Sequence, residues 1–323
     1  MKALIGRHGV AISIVLVGLG CAPIADAATA VAFKRQDARQ LAGASNTRLT
    51  LTDDYGHNVT VRYPPQRIVS LAPAATAMLS AAGAWDQVVG TIEYSGQPAS
   101  ERRLADVGSA YAIDMERLIA LRPDVVVVWP DGNNPAQIAA IERLGLPVYR
   151  QEVVTLDGIG DSLRRLGKLT GRVGAADRAA RSLEVKLEEL RRRYSNVRNP
   201  PTVLLEVWDR PLYTVGGREL MSDALRVCGA RNVFADLPER APAIGVEAVL
   251  ARNPDIIIAA APPGKAGSWL AQWQRFPSLR AVRTGQLMAF EDQRLSGLGP
   301  GAVDATEALC RGIGSLRTRA GAQ

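Results

Sequence analysis

One unit occurs twice in this chain. Glu116-Arg-Leu-Ile-Ala-Leu-Arg-Pro-Asp124 runs into Val125-Val-Val-Val128, and Glu247-Ala-Val-Leu-Ala-Arg-Asn-Pro-Asp255 runs into Ile256-Ile-Ile258, with the glutamate and the aspartate both displaced by 131 residues. Each copy predicts a short amphipathic helix carrying an acid in its first turn, where the helix dipole favours one. The proline stops that helix, and the unbroken β-branched run suits a parallel strand buried on both faces. Two such units predict two similar α/β lobes. A cleft between lobes is where a ligand would sit, although α/β folds also repeat such units for packing alone.

The first residues read as an export signal. Lys2 and Arg7 form a positive start, and the apolar stretch from Gly9 to Gly20 is too short to span a bilayer. Ala25-Asp26-Ala27 fits a small-x-small cleavage site, so residues 1–27 are expected to leave and the mature chain to begin near Ala28. Cys21 raises lipid anchoring as an alternative, but Gly18-Leu19-Gly20 is a poor lipobox and cleavage after Ala27 is expected instead. With Cys21 gone, Cys228 and Cys310 remain. In an oxidising compartment two cysteines most simply make one bridge; two buried free thiols are the alternative.

Residues 28–65 divide into an Ala-, Thr- and Gln-rich stretch, expected to be mobile, and a hairpin. The hairpin pairs Leu49-Thr-Leu51 with Val59-Thr-Val61 around Tyr55-Gly56-His57-Asn58. Residues 66–172 alternate strand and helix signals as an N-terminal lobe, with Pro73 opening a helix directly after the strand Ile68-Val-Ser-Leu71. Residues 173–198 hold the longest helix pattern, with Leu183, Leu187, Leu190 and Tyr194 on one stripe. That helix lies midway between the repeated units and reads as a stiff connector. Residues 199–316 repeat the strand and helix alternation as a C-terminal lobe. It places Cys228 and Cys310 near the ends of two helices.

Catalytic chemistry is largely missing. His57 is the one histidine of the mature chain, in a polar turn, which disfavours a Ser-His-Asp or Cys-His arrangement and a multi-histidine metal site. The glycine-rich turn Ser296-Gly-Leu-Gly-Pro-Gly301 does not follow a strand and open a helix as a phosphate or dinucleotide loop must. The acidic pairs Asp53-Asp54 and Glu188-Glu189 read as turn and helix-surface residues. The formal charge of +7 is spread through helices without aromatic interleaving, so no nucleic-acid partner is expected. What remains is a set of side chains where strands end. Tyr94, Trp129 and Trp208 each follow a predicted parallel strand, and Asp292 and Arg294 follow Phe290 in the same way. Aromatic rims suit a flat, partly apolar ligand whose polar edge Asp and Arg can fix.

At Arg67-Ile-Val-Ser-Leu-Ala-Pro73, at Met115 to Asp124, at Val227-Cys228-Gly229-Ala-Arg-Asn232-Val-Phe234 and at Glu247 to Arg252, the chain resembles the helical-backbone substrate-binding proteins of ABC importers. The resemblance covers roughly residues 65 to 315. It implies an α/β fold of two Rossmann-like lobes bridged by one long helix, and a monomer that binds a small molecule between the lobes without chemical change. It implies no enzymatic activity, no resident cofactor and no metal. The family takes up iron-siderophores, haem and cobalamin, and the cobalamin branch carries a bridge matching Cys228–Cys310, so cobalamin is the expected cargo. Haem or a ferric siderophore is the alternative, and an exported enzyme using His57 a remote one. The resemblance further implies that Glu116 and Glu247 dock onto arginines of a permease dimer. Trp129 falls at a cobalamin-contacting tryptophan and Tyr94 in a loop that supplies a contacting tyrosine. Pro73 and Ala74 open the first helix at the same site. Two other aromatic positions of the family are Ala110 and Ala241 here, with Tyr111 and Trp208 close by, and the usual acid of the first helix is Ala77.

Overall fold

The computed structural model describes residues 47–93 and 103–321. The export signal, Cys21, residues 28–46 and Tyr94 lie outside the described residues.

The hairpin forms as β1 (Arg48–Thr52) and β2 (Asn58–Arg62), with Leu49 opposite Val61 and Leu51 opposite Val59. Its turn is less solvated than its composition implies. Asp53 accepts the backbone N–H groups of Tyr55 and His57 at 3.0 and 2.8 Å. Asp54 accepts from the Tyr149 hydroxyl at 2.8 Å, Arg165 Nε at 2.6 Å and the Glu152 N–H at 2.9 Å. The two acids pin the hairpin onto the first lobe.

That lobe is built on β3 (Ile68–Ser70), β4 (Val88–Thr91), β5 (Ala105–Asp106), β6 (Val125–Val128) and β7 (Val148–Arg150). They form a parallel sheet in the order β5-β4-β3-β6-β7. In the second lobe a short hairpin of β9 (Trp208–Asp209) and β10 (Leu212–Tyr213) leaves the end of β8 (Thr202–Glu206). With β11 (Arg231–Asn232), β12 (Ile256–Ala260) and β13 (Leu287–Phe290), β8 makes a parallel sheet ordered β11-β8-β12-β13. Between the sheets runs the helix Val173–Tyr194. No helix among the described residues is long and apolar enough to cross a membrane.

The repeated unit supplies the middle of both sheets. Every side chain of β6 is buried, Val125 and Val127 on one face, Val126 and Val128 on the other. In β12, Ile256 and Ile258 face one apolar cluster and Ile257 another. The aspartate ahead of each strand does the same work twice. Asp124 Oδ2 accepts the N–H groups of Gln66 and Arg67 at 2.7 and 3.0 Å, at the entrance to β3. Asp255 Oδ2 accepts the N–H and the hydroxyl of Thr202, both at 2.8 Å, at the entrance to β8. The Pro-Asp of each copy thus sets the register of the two neighbouring central strands.

Cys228 and Cys310 are bridged, with Cα atoms 4.6 Å apart. The bond joins the end of the helix Leu220–Val227 to the middle of the last helix, Gly301–Gly321.

Candidate functional site

An open parallel sheet has one place where consecutive connections leave in opposite directions, and ligands collect beyond the carboxyl ends of the strands there. In the first sheet that place lies between β3 and β6. Pro73 and Ala74 follow β3, and Trp129 follows β6 directly. Asn133 ties the two strand ends together: its carbonyl accepts the Trp129 N–H at 2.8 Å and its amide donates to the Leu71 carbonyl at 2.8 Å and the Ala110 carbonyl at 3.3 Å. Gly132 leaves space for the indole, since a Cβ there would lie 2.1 Å from a Trp129 ring carbon. The Trp129 indole N–H is buried and has no partner among the described residues.

In the second sheet the reversal lies between β8 and β12. Val207, Trp208, Ala260, Pro262, Phe290 and Asp292 line a concavity at these strand ends. The Trp208 ring is 51 % exposed and meets Trp269 edge-on at 6.2 Å between centroids. Arg294 donates to Asp292 through Nε at 2.9 Å and Nη2 at 2.6 Å, which holds the Asp292 carboxyl below the usual carboxylate range. Arg294 Nη1 lies 3.6 Å from Asp304.

The structure therefore groups the sequence-derived residues in two sets. Trp208 and Asp292 share one wall with Arg294 beside it; Pro73, Ala74 and Trp129 sit at the reversal in the other sheet. Tyr111 follows Ala110 in the loop held by Asn133, but its ring is 77 % exposed. The two walls approach at Gly299, where a Cβ would lie 3.5 Å from Ala77 Cβ. A longer side chain at position 77 would meet this turn.

Arg240 joins the walls and was not visible in the sequence pattern. It leaves the loop before the helix Val246–Arg252, donates to Glu219 at 2.9 Å, and crosses to Asp131 at 3.0 Å, Glu152 at 3.1 Å and the Val153 carbonyl at 3.4 Å. Its guanidinium carbon stands 6.0 Å from the Trp129 ring centroid. Burial pushes the Glu219 carboxyl up, against the pull of Arg240. The only sequence signal was an arginine directly before Ala241, where an aromatic residue was expected.

Glu116 and Glu247 stand exposed in the first turns of their helices. Neither belongs to an ion pair among the described residues.

A model of the periplasmic binding protein family matches residues 68–293. The chain belongs to the periplasmic binding protein family. A vitamin B12-binding protein of Vibrio cholerae is 31 % identical over 77 % of this chain and 89 % of its own length. The solved structure of the periplasmic vitamin B12-binding protein of Vibrio cholerae superposes with a TM-score of 0.71 at 29 % identity, covering 79 % of this chain and 98 % of that one. The apo structure of a periplasmic heme-binding protein from Roseiflexus sp. RS-1 gives a TM-score of 0.66 at 22 % identity, over 78 % of this chain and 98 % of its own, and shares the fold. Within this periplasmic binding protein, the two strand reversals and the arginine between them define the candidate cleft.

Proposed function

We propose that this protein captures a corrinoid, cobalamin, between its two lobes and delivers it unchanged to the permease dimer of an ABC importer. The observation that carries this reading is the 31 % identity to a vitamin B12-binding protein across almost the whole of that relative. Trp129 and Trp208 at the two strand reversals supply flat apolar faces suited to a macrocycle, and Asp292 with Arg294 supplies polar groups for its edge. Pro73, Ala74 and Tyr111 complete the described part of the ligand surface. Export through a cleaved signal peptide would put the protein where the family works, and Glu116 and Glu247, exposed and unpaired on separate lobes, would meet basic residues of the permease. The bound corrinoid is cargo; no resident cofactor or metal is proposed.

The test is titration of purified mature protein with cyanocobalamin, haem and ferric siderophores, followed by indole fluorescence and calorimetry. Saturable cyanocobalamin binding at or below micromolar concentration is expected. Binding of haem or a siderophore with no corrinoid binding would replace the ligand.

A further inference from the structure

The chain carries a formal charge of +7, yet the walls of the cleft are locally inverted in sign. Three carboxylates, Asp131, Glu152 and Glu219, surround the single guanidinium of Arg240, a formal surplus of two negative charges. A guanidinium has five N–H donors. Arg240 already directs its donors at three carboxylates and one backbone carbonyl. On the other wall Arg294 holds Asp292 and faces Asp304, and Asp304 also binds Lys186, which pairs in turn with Glu307. Beyond Arg240, Arg294 and Lys186, no cation among the described residues pairs with these carboxylates. Arg150 pairs with Asp53 and Glu142, Arg210 lies 3.8 Å from Asp209, and Arg218 lines a separate concavity with Arg226 and Arg231.

We propose that the surplus acids around these acid-paired arginines make the cleft a charge filter, which rejects anionic tetrapyrroles and admits a neutral, amide-bearing corrinoid. This rests on the corrinoid reading above for the admitted ligand. A carboxylate entering beside Trp129 would lose its hydration, find the charge of each arginine already offset by acids, and face a surplus of two negative charges inside low-dielectric walls where like charges repel most. A primary amide in the same place can donate to Asp131 or Glu152 and gains from the same field. Discrimination then comes from repulsion of the wrong ligand as much as from attraction of the right one.

The experiment compares ligands that differ in charge at one position. Cyanocobalamin and a monocarboxylate made by hydrolysing one side-chain amide are titrated into wild type, Asp131→Asn and Asp131→Asn/Glu152→Gln at low and high salt, after thermal melts establish folding. In wild type the carboxylate is expected to bind at least tenfold more weakly. The ratio should shrink to about threefold or less in the double variant, part-way in the single one, and with added salt. A wild-type ratio near one, or a ratio the variants leave unchanged, overturns the filter. If neither corrinoid binds, the corrinoid reading fails by itself. The filter is then decided by haem against its dimethyl ester, with the ester expected to bind at least tenfold more tightly.

Discussion

Glu206 accepts the indole N–H of Trp273 at 2.8 Å, and both side chains are buried. Glu206 also accepts from Gln272 at 2.6 Å. Burial nevertheless dominates and raises the Glu206 carboxyl from 4.5 to about 7. Between those values the folded protein holds the proton more tightly than the unfolded chain. The associated stability is therefore complete below about pH 4.5 and is lost as pH rises through about 7, a change on the order of 3 kcal/mol. Urea unfolding of wild type and Glu206→Gln across pH 4.5–8 measures it. The wild type should lose stability relative to the variant as pH rises, and parallel curves would show that Glu206 does not titrate in this range.

The Cys228–Cys310 bridge closes a separation of 82 residues. In the chain-entropy model that constraint is worth about 4 kcal/mol. Mass spectrometry of non-reduced, alkylated mature protein should find neither cysteine labelled. The Cys228→Ala/Cys310→Ala variant should unfold at markedly lower denaturant while keeping the same fold. A labelled cysteine in untreated protein would count against the bridge.

Gly132 governs the Trp129 ring. Gly132→Ala places a methyl group where the indole lies, so the ring must move, and cyanocobalamin affinity should fall about as far as in Trp129→Ala, roughly tenfold. Thermal melts separate this from unfolding. A variant that folds and binds as wild type would remove Trp129 from the ligand surface.

Glu116→Ala/Glu247→Ala separates capture from delivery. Both carboxylates are exposed, so stability should change little and ligand affinity not at all. Uptake by cells or vesicles carrying the cognate importer should fall severely, because charge-assisted contacts across an interface cost about 2–5 kcal/mol when one partner is removed. Full uptake by the double variant would refute docking through these two residues.

The two repeated units were legible because burial on both faces leaves an uninterrupted β-branched run, and a proline marks where each helix stops. The hairpin was legible through its period-two alternation. The C-terminal lobe was expected to end at residue 316, but its last helix continues to Gly321, since Arg317-Thr-Arg-Ala carries no apolar stripe to mark it. Asp54 and Arg240 were missed for a shared reason. Their partners, Tyr149, Arg165, Glu219, Asp131 and Glu152, are distant in sequence, and a polar residue in a loop shows no periodicity until the chain has folded around it. The strand-end residues could be named singly from the sequence. That Trp208 shares a wall with Asp292 while Trp129 faces Arg240 depends on sheet order, which no local pattern records.

The chain passes from the first sheet to the second once, through the helix Val173–Tyr194. Along that rod Lys186 is tethered to Asp304 and Glu307 of the last helix, and Arg164 joins it to the first lobe through Asp177 and Glu184. A continuous hydrogen-bonded rod braced to both lobes can flex but has no loose joint about which the lobes could swing apart. On the proposed function, opening the mouth to empty the protein would take work to bend that rod. The importer that spends energy to move the cargo would be the source of that work.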